Sequence, residues 1–130
     1  MDTLDIKELL SASFGEAFDF HPDFVDEFSS LIKKSGSEKQ VIAQFLNRLD
    51  AIIQLGNIDY GPKWIEKLKN YDNMYSLHID AARTNYRLLF SKNKNGKYFL
   101  HVFYEKSGKI NTSYAAHVPI AIKRRDETKS

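Results

Sequence analysis

The sequence has no cysteine, which excludes disulfides, iron–sulfur clusters and thiolate zinc sites and is compatible with a reducing cytosol. Its four histidines, His21, His78, His101 and His117, show no His-x-x-x-His spacing, so a metal site is not expected. There is no glycine-rich phosphate loop and no Gly-x-Ser-x-Gly motif, and no cofactor is expected. No apolar run approaches the roughly 20 residues that cross a bilayer. The start, Met1-Asp2-Thr3-Leu4-Asp5, is acidic and lacks the basic-then-apolar order of a secretory signal. The expectation is a cytoplasmic protein without membrane contact.

What is present fits one domain of 130 residues. A chain of about 150 residues hides roughly 70% of its unfolded surface, so a real core is within reach. The net charge of +2 conceals an asymmetry. Residues 1–60 hold 5 Lys/Arg against 11 Asp/Glu, and residues 61–130 hold 14 against 6. A polyanion would be drawn to the second half, although any single lysine there reads better as a solvated one.

Leu4, Ile6, Leu9 and Leu10 give a weak pattern, and residues 1–18 read as an extension. The domain is expected over 19–126, with a frayed tail at 127–130. After Pro22, the spacing of Phe24, Phe28 and Leu31 predicts a helix ending at Gly36. Ser37-Glu38-Lys39-Gln40 has the form of a capping box, followed by Val41, Phe45, Leu49 and Ile52 on one face of a second helix. Trp64, Ile65 and Leu68 fit a short helix or strand. Tyr75–Asp80 alternates as a half-buried strand, Tyr86–Phe90 is a second, and Tyr98–Tyr104 a third. Asn93-Lys94-Asn95-Gly96 supplies the turn between the last two. Pro119 reads as the start of a terminal helix closed by the basic group Lys123-Arg124-Arg125. The fold class is α+β: an N-terminal helical hairpin packed on a small antiparallel sheet, with a C-terminal helix.

Three stretches carry a resemblance: Tyr75-Ser76-Leu77-His78-Ile79, Asn85-Tyr86-Arg87-Leu88-Leu89-Phe90, and Leu100-His101-Val102-Phe103-Tyr104-Glu105-Lys106-Ser107-Gly108-Lys109. From about Trp64 to Arg125 the chain resembles the RelE/ParE toxin superfamily, nearest its HigB-like branch. The resemblance implies a curved sheet with a basic concave face. It implies metal-independent endoribonuclease activity on mRNA at the ribosome, and a cognate antitoxin with a helix-turn-helix domain. The 2′-hydroxyl would attack the adjacent phosphate, leaving a cyclic phosphate and a free 5′-hydroxyl. The same fold serves ParE-like toxins, which bind DNA gyrase without nuclease chemistry, and a phage-derived protein that only binds a partner is a third reading.

Such chemistry needs a cation against the phosphorane and a group that carries protons. Arg87 is the first choice for the cation, since a guanidinium bonds two phosphate oxygens at once. His101 and His78 are candidate proton carriers, and Lys106 would hold the scissile phosphate. Lys109, Arg83, Lys97 and Tyr114 are expected RNA contacts, with Tyr114 stacking on a base or donating a proton if cations lower its pKa. Alternation puts Ser76, His78 and Arg87 on one side of the sheet, and puts His101 with Phe99 and Phe103. A histidine between two phenylalanines is equally a satisfied core residue, and a surface or ion-pair arginine is the lesser reading of Arg87. His21 and His117 read as structural or solvated, and Lys123-Arg124-Arg125 as a solvated helix end.

Overall fold

The computed structural model describes Glu8 and residues 17–81, 85–93, 96–104 and 110–127. Helix α1 spans Pro22–Ser35. Its start is fixed by Pro22 and by His21, whose Nδ1 accepts from the Asp23 amide at 3.1 Å. Gly36, in the left-handed region at φ 72°, ends it. Helix α2 spans Glu38–Leu55. The expected capping box is absent, because Ser37 makes no side-chain cap bond. Its amide instead donates to Ser35 Oγ at 3.0 Å, and that hydroxyl donates to the Ile32 carbonyl at 2.6 Å.

Five strands follow from the alternating segments: β1 (Phe18–Phe20), β2 (Ile65–Lys67), β3 (Tyr75–Ile79), β4 (Tyr86–Asn93) and β5 (Gly96–Tyr104). They form one sheet in the order β1-β5-β4-β3-β2. Three pairings are antiparallel, but β1 runs parallel to β5, so the sheet is mixed and not purely antiparallel as expected. Strand β1 also begins inside the stretch read as an extension, with Phe18 buried. Three residues are too few to show a period, which is why the sequence conceals it. Gly96 is required where β1 arrives. Its φ is +142°, and a Cβ there would collide with the Ala17 carbonyl.

The two faces of the sheet hold separate cores. Tyr75, Leu77, Ile79, Tyr86, Leu88, Phe90, Phe99 and Val102 pack against α1 and α2. Met74, Leu89, Leu100 and Phe103 pack on the other side against Tyr114, Val118 and Ala121 of α3 (Ile110–Glu127). A β-bulge divides Phe99 from its expected neighbours. Leu89 pairs with His101 but Phe90 pairs with Phe99, so Leu100 is the extra residue. Phe99 therefore belongs to the first face, whereas Leu100 joins His101 and Phe103 on the second.

Helix α3 begins nine residues before Pro119, which lies inside it and not at its start. The proline lacks the N–H that would bond the carbonyl of Ala115, and both residues lie on the exposed side of the helix, where the missing bond costs least. Among the described residues no helix is long and apolar enough to cross a membrane.

Candidate functional site

The second face is where the polar residues gather, and strand register places most of them. His78 is opposite Arg87, which is opposite Phe103; Ser76 is opposite Leu89, which is opposite His101. On the far side Glu66 of β2 pairs with Ser76. Residues directly opposite share a face, so Glu66, Ser76, His78, Arg87 and His101 all point toward α3. The helix divides them into two groups, with Phe103 between. The Phe103 ring meets Tyr114 edge-on at 5.7 Å and stacks flat on His117 at 4.1 Å.

The first group is built around the Tyr114 hydroxyl. It lies 3.0 Å from Ser76 Oγ and 3.4 Å from His78 Nε2, and it donates to Glu66 Oε1 at 3.1 Å. The same carboxylate oxygen is 3.4 Å from His78 Nε2. Burial lowers the pKa of His78, and the Arg87 guanidinium and, more weakly, that of Arg48 add to the effect, against the opposing pull of Glu66. The imidazole is thus neutral at pH 7 and able to accept a proton. Its side chain keeps 24% of its surface exposed and that of Glu66 keeps 47%, so this margin of the face is open. Tyr114 is buried, and burial raises its pKa, with Glu66 acting in the same direction. The expected lowering by cations is reversed, and no ring face is free for a nucleobase. Tyr114 acts here as a hydrogen-bonding anchor.

The second group is centred on His101, which is buried beneath α3. Its Nε2 is 2.7 Å from Nδ1 of His117, and its Nδ1 is 3.3 Å from Glu27 Oε1 and 3.2 Å from an Arg124 nitrogen. Arg124 grips both carboxylate oxygens of Glu27 at 2.8 Å and donates to the Leu100 carbonyl at 2.9 Å. Burial lowers the pKa of His101 to about 4. Burial likewise lowers that of His117. For Glu27, burial acts upward, but Arg124 and His101 outweigh it and the pKa is lowered. An open groove of about 510 Å³ lies beside this group, bordered by Asp26, Glu27, Ser30, His117 and Tyr104 among others.

The expected constellation is therefore brought together in part. His78 and Arg87 are cross-strand neighbours, and Tyr114 reaches His78 from α3. His101 shares their face but is engaged one row away with Glu27, Arg124 and His117. Lys97 is at the opposite end of β5, paired with Lys92 and Phe18. Six residues separate it from Phe103, about 20 Å along an extended strand, so it does not join this site. Arg83, Lys106 and Lys109 lie outside the described residues, as do most of residues 1–16 and 128–130. Arg124 and Arg125 are not a solvated helix end. Arg124 is held by Glu27, and Arg125 donates to the Asp72 carbonyl at 3.1 Å. His117, read as structural or solvated, is the stacked partner of His101.

Sequence reasoning missed Glu66, Ser76 as a partner, Glu27 and Arg124. Glu66 follows from alternation once Ile65–Lys67 is known as a strand. The Glu27–Arg124 pair spans 97 residues and leaves no mark in local pattern. Among the described residues, no group of three or more His, Asp or Glu is placed to hold a metal ion. Compared with protein-family models, with curated proteins and with solved structures, the chain finds no match.

Proposed function

We propose that the chain is a metal-independent endoribonuclease toxin of the RelE/HigB type, cutting mRNA on the ribosome in the cytoplasm. The observation that carries this reading is the His78–Arg87 cross-strand pair at an open margin of the sheet, with Glu66 within 3.4 Å of the imidazole. Neutral His78 takes the proton of the 2′-hydroxyl as it attacks the adjacent phosphate. Arg87 faces the charge that builds on the phosphorane. The bond to the 5′-oxygen breaks, and the imidazolium, balanced by Glu66, returns its proton to that leaving oxygen. Tyr114 and Ser76 hold the pair in place. Lys106, Lys109 and Arg83 are the proposed contacts to flanking phosphates. A helix-turn-helix antitoxin would cover the same margin.

One observation favours a binding-only protein, such as the gyrase-directed ParE type: α3 lies across Leu89, Leu100 and Phe103 and leaves only the margin of the face open. The same experiment separates the two. Wild type and Arg87→Ala are induced in a bacterium, and abundant mRNAs are mapped by primer extension. The nuclease reading expects growth arrest and new 5′ ends in the wild type, with cleavage reduced about 100- to 1,000-fold in the variant. Arrest by both proteins with intact mRNA would establish the binding-only reading instead.

A further inference from the structure

Three elements meet at His101. Helix α1 brings Asp23 and Glu27, β5 brings His101 and the Leu100 carbonyl, and α3 brings His117 and Arg124. The charged groups facing the imidazole are Glu27 and Arg124, with Asp23 4.0 Å from the Arg124 Nε. As long as His101 is neutral, the Glu27 and Arg124 charges cancel and one ring nitrogen is free to accept. A second proton removes that acceptor. It places N–H against the Arg124 guanidinium, 3.2 Å away, and leaves the half-buried Glu27 carboxylate shared between two cations. Outside this cluster α3 is tied down by the Tyr114 hydroxyl at Glu66 and Ser76, by Arg125 at the Asp72 carbonyl, and by a small apolar contact. Its described buried residues are Tyr114, Val118 and Ala121, whereas the first core engages both other helices along their lengths. Proline inside α3 further weakens it.

We propose that the Glu27–His101–His117–Arg124 cluster is an acid-sensitive latch that holds α3 on the sheet at neutral pH and releases it when His101 is protonated. Release uncovers Ser76, Leu89, His101 and Phe103, the middle of the second face. The latch is independent of whether that face cleaves RNA, since it rests only on how α3 is held.

The magnitude follows from linkage. An imidazole at about 4 when latched and 6.5 when released multiplies the opening equilibrium by about 30 between pH 7.5 and pH 5. Amide hydrogen exchange of residues 114–124, corrected for the intrinsic rate and referred to α2, reads this directly. The wild type is expected to show a loss of protection of roughly 30-fold or more in α3 alone, and His101→Gln, which stays neutral there, is expected to lose only the smaller part that His78, His117 and Glu27 contribute. Unchanged α3 protection in the wild type at pH 5, or an equal loss in His101→Gln, would overturn the proposal. If His101→Gln does not fold, the wild-type ring is titrated by NMR. A midpoint near 4 supports the latch, and an unshifted midpoint near 6.5 refutes it.

Discussion

On one face of the sheet Phe99 meets the rings of Phe18, Phe20, Phe24, Phe45 and Phe90, all within 6.0 Å between centroids. On the other, Phe103 stands between two sets of imidazoles, carboxylates and guanidinium groups. The first face needs only apolar volume and is filled from two amphipathic helices. The second keeps ionisable groups partly dry and pairs nearly every one with a neighbour, an arrangement that costs stability unless each pair is satisfied. Aromatic packing on the first face supplies the stability that lets the second hold neutral histidines and a half-buried Arg–Glu pair.

The sharpest way to test that division is to damage the first face alone. Phe99→Ala removes a fully buried ring and is expected to cost about 3–5 kcal/mol, visible as a large drop in the urea midpoint. Acid should act on the other face. His101 has a folded pKa near 4, below the 6.5 of a free imidazole, so the unfolded chain binds the proton more readily. Its contribution is complete above pH 6.5 and is lost as pH falls toward 4, by up to about 3 kcal/mol. His78, His117 and Glu27 shift in the same direction. Urea titrations across that range should show a slope that His101→Gln flattens.

Arg124→Met removes the bonds to Glu27 and Leu100, and about 2 kcal/mol is expected from thermal unfolding. Tyr114→Phe deletes one hydroxyl while preserving the ring against Phe103. About 1 kcal/mol of stability should go, together with a larger fall in RNA cleavage, because His78 and Glu66 lose their anchor. The smallest effect is expected for His21→Ala, which removes the α1 cap and costs about 1 kcal/mol or less, with cleavage unchanged.

Legibility from sequence follows the same division. Both long helices, β3 and β4 were readable because Phe24, Phe28, Val41, Phe45 and Leu49 repeat at helical spacing and Tyr75–Ile79 alternates cleanly. The pairing of His78 with Arg87 on one face followed from that alternation. Hidden were the features that depend on tertiary contact. Parallel β1 has three residues and a partner 79 positions away, Phe18 to Lys97. The bulge at Leu100 moves Phe99 to the other face without any local signal. Helix α3 has an interior proline and a polar first half, so its length is set by docking and not by propensity. The Glu27–Arg124 and His101–His117 contacts join elements that no periodicity connects.

The most direct measurement is made on His78→Gln, with mRNA cleavage by primer extension and the urea midpoint determined on the same protein. If the second face is the working one, new 5′ ends disappear and the midpoint shifts by no more than about 1 kcal/mol in stability. Cleavage at the wild-type level in a folded His78→Gln protein would contradict the assignment of this site.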